Sequence, residues 1–245
     1  MVAGTVTSVE AISWRARDFW LAMFVGIAGA FVATIAVHAL DGDMSALLIV
    51  AALSQYLGHL GTLWLLGRRR GGFESLGLSI QASDLRFIFL GLLLQITVPL
   101  IFFPLANLVT EGEGGQFISD ALRSLDATYA KVIMAGVVTV LAPVTEELLF
   151  RGVLQQSIGA GRRAIWITAI VFAVFHVVGL RGDFVRSLAL TMPTFLVVGL
   201  ILSYVTVRQK RLGPAIFIHS GFDLLALVVL FLPTELIEQL VSEAG

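Results

Sequence analysis

The chain has 245 residues, 58% of them hydrophobic and 13% charged, with a mean hydropathy of +0.94. Soluble domains carry about 25% charged residues, so the composition excludes an ordinary soluble globular protein and points to a polytopic membrane protein. A net charge of −1 argues against a nucleic-acid partner, and the lack of cysteine excludes disulfides, a thiol nucleophile and a Cys-ligated metal.

About 20 apolar residues cross a bilayer. Seven stretches meet that length: 19–40, 44–67, 85–109, 128–150, 164–180, 187–207 and 214–232. The first is too long for a signal-peptide core and ends in the poor cleavage site Val37-His38-Ala39-Leu40, so it reads as a retained span. The third holds Pro99 and Pro104, which bend or break helices. The fourth is predicted to continue as helix to about Gln156. Residues 117–125 are weakly amphipathic and supply a half-inserted eighth segment if 110–127 dips into the membrane. The expected fold is therefore all-α, a polytopic transmembrane helical bundle of seven or eight spans. It forms a single integral membrane domain over 1–245, with a catalytic core at about 128–232.

Basic residues mark the cytoplasmic side of a membrane protein. They fall at Arg15 and Arg17, at Arg68-Arg69-Arg70 and Arg86, at Arg162-Arg163, and at Arg208, Lys210 and Arg211. These are alternate connections of the seven-span arrangement. The acids Asp41, Asp43, Glu111, Glu113, Asp120, Asp126, Glu235, Glu238 and Glu243 fall on the other side. The expected protein sits in the cell membrane with a cytoplasmic N-terminus and an external C-terminus. Arginine outnumbers lysine fourteen to two, which fits a GC-rich bacterial genome.

Against this background, Glu146-Glu147-Leu-Leu-Phe-Arg151 is the anomaly. A charge at the bilayer centre costs roughly 2.5–3.5 kcal/mol on insertion scales. Residues four apart share a helix face, so Glu147 and Arg151 are predicted to pair. Glu146 is rotated by about 100° and has no local basic partner, which makes it a candidate general base. Two later segments carry His176, with Phe172 one turn behind it, and His219 with Asp223 four residues on. Asp223 is expected to hydrogen-bond one ring nitrogen of His219 and set its tautomer. At 1.5 Å per residue Glu146 lies about 15 Å in from the cytoplasmic end, His176 about 18 Å, and His219 and Asp223 roughly 8 and 14 Å. The three helices can therefore share one cavity in the cytoplasmic half. His38 and His59 match no motif and are expected to make helix–helix hydrogen bonds. Gly58, Gly61, Gly199 and Gly221 are expected at close helix contacts, and Arg68-Arg69-Arg70 as a topology determinant.

Glu146-Glu147-x-x-x-Arg151, Phe172-x-x-x-His176 and His219-x-x-x-Asp223, in that order on consecutive spans, resemble the CAAX-protease and bacteriocin-processing (CPBP, or Abi) family, which includes the Ras-converting CAAX endopeptidase. The resemblance covers about 128–232, with a weaker likeness at Glu74-Ser-Leu-Gly-Leu78. Asp223 departs from the Asn of the prenyl-protein protease. The resemblance implies an intramembrane endopeptidase, classed within the family as a metalloprotease, acting on a peptide or membrane-protein substrate in the lipid bilayer. Prenylated CAAX proteins are the substrates characteristic of eukaryotic members. Bacteriocin maturation, self-immunity or cleavage of a regulatory membrane protein are the bacterial counterparts. Carried over, Glu146 deprotonates water and His176 helps hold it. His219 and Asp223 stabilise the oxyanion or bind a metal, and Glu147, Arg151 and Phe172 support the site. Glu146, His176 and His219 are a donor set that Zn²⁺ accepts. A metal-free route through Glu146 and His176 is equally coherent. A proton-coupled transporter and a non-catalytic immunity or scaffold protein are the competing classes.

Overall fold

A computed structural model describes residues 14–109 and 114–232. Among these, helices α1 (Ala16–Ala39), α2 (Met44–Gly67) and α3 (Phe87–Val109) precede a short strand β1 (Gly114–Gln116) and a short helix α4 (Phe117–Arg123). Helix α5 (Thr128–Ile158) carries the Glu-Glu motif. It is followed by α6 (Arg162–His176), strand β2 (Leu180–Gly182), α7 (Phe184–Gln209) and α8 (Gly213–Phe231). The all-α polytopic architecture is as expected.

Six helices, α1, α2, α3 with its leading turn, α5, α7 and α8, are long and apolar enough to cross a membrane. The stretch predicted as the fifth span is different. Helix α6 has 15 residues, about 22 Å at 1.5 Å per residue, against a hydrocarbon core of about 30 Å. It ends at His176, and three residues on Gly179 takes a left-handed φ of +83°, a conformation that glycine adopts without strain. The chain then enters β2, which pairs antiparallel with β1 in the register Gly114↔Gly182, Gly115↔Arg181, Gln116↔Leu180. The predicted half-inserted segment becomes α4, where Ala121, Leu122 and the following Leu125 are buried. Glu111, Glu113, Glu235, Glu238 and Glu243 lie outside the described residues.

Local chemistry sets the helix ends. Asp43 accepts a hydrogen bond from Ala46 N at 2.7 Å and Asp183 one from Arg186 N at 2.9 Å, each capping the helix that follows. Pro143 lies inside α5 and has no N–H to give. The turns just before it, Val137–Leu141, open to i→i+5 hydrogen bonding, and so do those at Leu148–Gln155. Proline accounts for the first widening. The two wide stretches flank the Glu-Glu pair, and the helix carries on through it to Ile158.

The main apolar core joins α1, α5, α6, α7 and α8 through Phe19, Phe150, Phe172, Val198, Leu202 and Ile218, all under 3% exposed. A second cluster links Leu48, Leu122, Met134 and Leu227. Outward-facing Phe24, Phe31 and Phe89 are 66–73% exposed, which suits lipid and not water. Helices α3 and α8 cross at glycines. A Cβ on Gly221 would overlap the Ile88 carbonyl, and one on Gly91 the Ile218 carbonyl. Gly58 packs 3.0 Å from the Gly26 Cα, and Gly199 3.1 Å from the Ala169 Cα, measured from an added Cβ. Gly61 faces open space within 4 Å, so its expected contact is absent. His59 bonds across to the Ala22 carbonyl at 2.8 Å as expected, while His38 is exposed. Within the arginine triplet, Arg70 is a structural residue, paired with Asp18 at 2.5 Å and lying over the Trp14 ring.

Candidate active site

Helix α5 presents Glu146 and Glu147 to different surroundings, as their 100° separation requires. Glu147 is fully buried. Its Oε1 accepts from Arg151 Nη1 at 2.9 Å and lies 2.9 Å from His219 Nδ1. Arg151, also fully buried, donates its Nη2 to the Gly199 carbonyl at 3.1 Å and lies over the Phe172 ring, 4.4 Å from its centroid. The close approach at Gly199 brings that carbonyl within reach. Ion pair, backbone acceptor and ring face together offset the desolvation of the guanidinium.

The predicted Glu147–Arg151 pair is present, but it does more than shape a helix end. It lies in mid-helix and ties α5 to α7 and α8. It also replaces the predicted partner of His219. Asp223 Oδ2 is 3.5 Å from His219 Nε2, longer than the usual 2.7–3.2 Å of a hydrogen bond. The nitrogen that is held is Nδ1, and it is held by Glu147 from another helix. Spacing on α8 could show that Asp223 was near; it could not show that α5 was nearer.

Glu146 faces the other way, with its side chain 18% exposed. Its Oε1 accepts from the Tyr56 hydroxyl at 3.3 Å. Its Oε2 is buried with no hydrogen-bond partner, 3.6 Å from His176 Nε2 and 3.9 Å from His219 Nε2. His176 Nδ1 lies 2.8 Å from the Phe172 carbonyl one turn back, so that nitrogen donates and Nε2 is left as an acceptor toward Glu146. The His176 ring is stacked on Phe195, centroids 4.1 Å apart, and tilted against Phe172 at 4.2 Å. Phe172 also meets His219 edge-on at 5.6 Å. Three helices therefore converge on one carboxylate oxygen, as their depths suggested.

A cavity of about 520 Å³ opens beside this cluster. Tyr56, His59, Gln116, Glu146, Phe175 and His176 are in its wall, whereas His219 and Asp223 stand behind the Glu146 carboxylate. The lining reaches Val178 and Gly179, at the end of α6 away from Arg162 and Arg163. The lining extends from Met23, His59 and Phe150, in the arginine-side halves of their helices, to Val178 and Gly179 at the other end. Gln116 braces this rim by donating to the His176 carbonyl at 3.0 Å.

Tyr56, Phe195 and Gln116 were not singled out from the sequence. A tyrosine inside a span is a weak signal that its hydroxyl has a partner. The other two carry none, because a ring in an apolar run and a glutamine in a loop look ordinary. As for Zn²⁺, it takes nitrogen and oxygen donors at about 2.0–2.2 Å. Among the described residues no group of three or more His, Asp or Glu side chains is arranged to hold a metal ion. The residues do not fit that set as they stand, and no step of the chemistry is routed through a metal.

Fold and cluster together define the class, a polytopic membrane protein that holds a Glu/His cluster inside its helix bundle. Residues 128–225, less than half of the chain but all three motifs, match the family model described as "Type II CAAX prenyl endopeptidase Rce1-like". The segment carrying the motifs is therefore similar to the family that the sequence resemblance named. No curated protein and no solved structure matches the chain.

Proposed function

We propose that the chain is an intramembrane endopeptidase in which Glu146 and His176 activate water directly. The observation that carries this reading is Glu146 Oε2, a buried oxygen without a partner, facing the acceptor nitrogen of His176 beside an apolar cavity. A water there gives one hydrogen to Glu146 Oε2 and the other to His176 Nε2. As its oxygen attacks the scissile carbonyl carbon, Glu146 takes the proton and the carbonyl π pair moves onto oxygen. His219 has carboxylate oxygens near both ring nitrogens, at 2.9 and 3.5 Å, a setting complementary to the doubly protonated ring. Its Nε2–H, 3.9 Å from Glu146 Oε2, faces that carboxylate from behind and steadies its charge. When the C–N bond breaks, Glu146 returns the proton to the leaving nitrogen. Tyr56 orients Glu146 through Oε1, and Asp223 lies alongside His219 Nε2. The substrate is an extended peptide or membrane-protein segment entering the cavity.

The test is purified protein in nanodiscs with a quenched fluorescent peptide library, prenylated CAAX peptides included, beside Glu146→Ala and His219→Ala. Cleavage that both substitutions abolish, and that persists after chelator treatment, is expected. Cleavage indifferent to both substitutions refutes the assignment. Cleavage lost to chelation and restored by Zn²⁺ overturns the metal-free route alone.

A further inference from the structure

At the arginine-rich end of the bundle a second cavity, about 430 Å³, lies between the ends of α5 and α7 and the start of α8. Three cationic residues are in its wall, Arg151, Lys210 and Arg211, and no acidic one is. Arg211 is committed to Asp84, with Nη2 to Oδ1 at 2.6 Å. Lys210, exposed at the left-handed end of α7, has no ion-pair partner among the described residues. Three further polar atoms of lining residues are buried without a hydrogen-bond partner: Arg151 Nε, Gln155 Oε1 and Thr206 Oγ1. Arg151 and Gln155 are 0% and 3% exposed. Native proteins rarely leave buried polar atoms unpaired, and several in one cavity point to a ligand.

The unused groups have a definite chemistry. Lys210 and Arg151 Nε donate and favour an anion. Gln155 Oε1 accepts only, and Thr206 Oγ1 both accepts and donates, so they suit hydroxyl groups next to that anion. We propose that this cavity binds the polyol-phosphate headgroup of an anionic glycerophospholipid. Phosphate meets Lys210 and Arg151, and headgroup hydroxyls meet Gln155 and Thr206. The cavity lies between helices at the basic end, where lipid headgroups are found. A soluble sugar or glycerol phosphate has the same chemistry but needs no bilayer to deliver it.

Binding here also touches the other site. The guanidinium that offers Nε to the phosphate holds Glu147 with Nη1, and Glu147 holds His219 Nδ1, each at 2.9 Å. Occupancy therefore bears on the orientation of His219. This consequence rests on the proposed peptidase reading; the binding itself does not.

The experiment is thermal unfolding of the full chain in nanodiscs of phosphatidylcholine alone or with phosphatidylglycerol, beside Thr206→Val and Lys210→Gln, neither of which belongs to the catalytic cluster. Phosphatidylglycerol is expected to raise the Tm of the wild type by roughly 5–10 °C, the size expected for ligand at about a hundred times its Kd. Most of that rise is expected to be lost in both variants. An equal rise in wild type and variants, or none with any additive, overturns the proposal. Millimolar glycerol phosphate or inorganic phosphate added to phosphatidylcholine discs is expected to do little. A full rise from either one, lost in the variants, overturns the lipid as ligand and assigns the site to a soluble phosphate.

Discussion

Glu146 and Glu147 are neighbours in the chain and opposites in the fold. Glu147 is sealed among Arg151, His219 and the packed helices, with no exposed surface. Glu146 stands at a cavity wall, one oxygen held by Tyr56 and the other without a partner. Each carboxylate keeps one oxygen without a hydrogen-bond partner, but Glu147 is neutralised by the Arg151 cation and sealed, so it holds structure. Glu146 has no cationic partner of that kind and borders a cavity, where it is free to exchange a proton. One residue of helical rotation separates the two outcomes.

The sharpest way to break this comparison is to exchange the roles. Glu146→Gln keeps shape and removes the base, so kcat is expected to fall by about 10²–10⁴ with little change in Tm; a stable, active variant would falsify the assignment of Glu146. Glu147→Leu should do the reverse to stability. It strands Arg151 in an apolar interior, a loss of about 3–5 kcal/mol. Denaturant unfolding of the detergent-solubilised protein measures it, and pairing the change with Arg151→Met should recover much of the loss. If Glu147→Leu and Glu146→Gln destabilise alike, the division between them fails.

A smaller effect is expected at Tyr56. Its 3.3 Å hydrogen bond is long, and a hydrogen bond of this kind contributes about 1 kcal/mol. Tyr56→Phe should therefore lower kcat about fivefold and leave KM and Tm nearly unchanged; a fall as large as that of Glu146→Gln would make Tyr56 a proton carrier, not a positioning residue. The last test concerns geometry alone. Cysteines placed at Val178 and at Arg162, in this cysteine-free chain, are expected to react with membrane-impermeant maleimide from opposite sides. Labelling from one side would mean that the Val178 end of the lining and the arginine end share a face of the membrane.

Much of this was legible in the residues. The helical periodicity, the Glu147–Arg151 pair and the convergence of Glu146, His176 and His219 follow from apolar run lengths and from i, i+4 spacing. These are local rules, and a bilayer enforces them strictly because it leaves backbone groups no partner outside the helix. Two readings failed for non-local reasons. Residues 164–180 are apolar enough to span, yet α6 ends at His176 and the chain turns through Gly179 into a ribbon with 114–116. Asp223 is well spaced for His219, yet Glu147 holds the ring from across an interhelical contact. Tyr56, Phe195 and Gln116 reach the cluster from segments whose own patterns carry no sign of it.

Composition and spacing alone established that the chain lives in a membrane, which carboxylate lacks a local partner, and which family its motifs resemble. Those are matters of residue type and of neighbours within one helix, and they do not depend on how helices are arranged. What surrounds each carboxylate came only from the packing of helices: the ring nitrogen that Glu147 holds, the hydroxyl beneath Glu146, and the cavity beside it. Such contacts join residues up to 90 positions apart, and no local rule reaches that far along the chain.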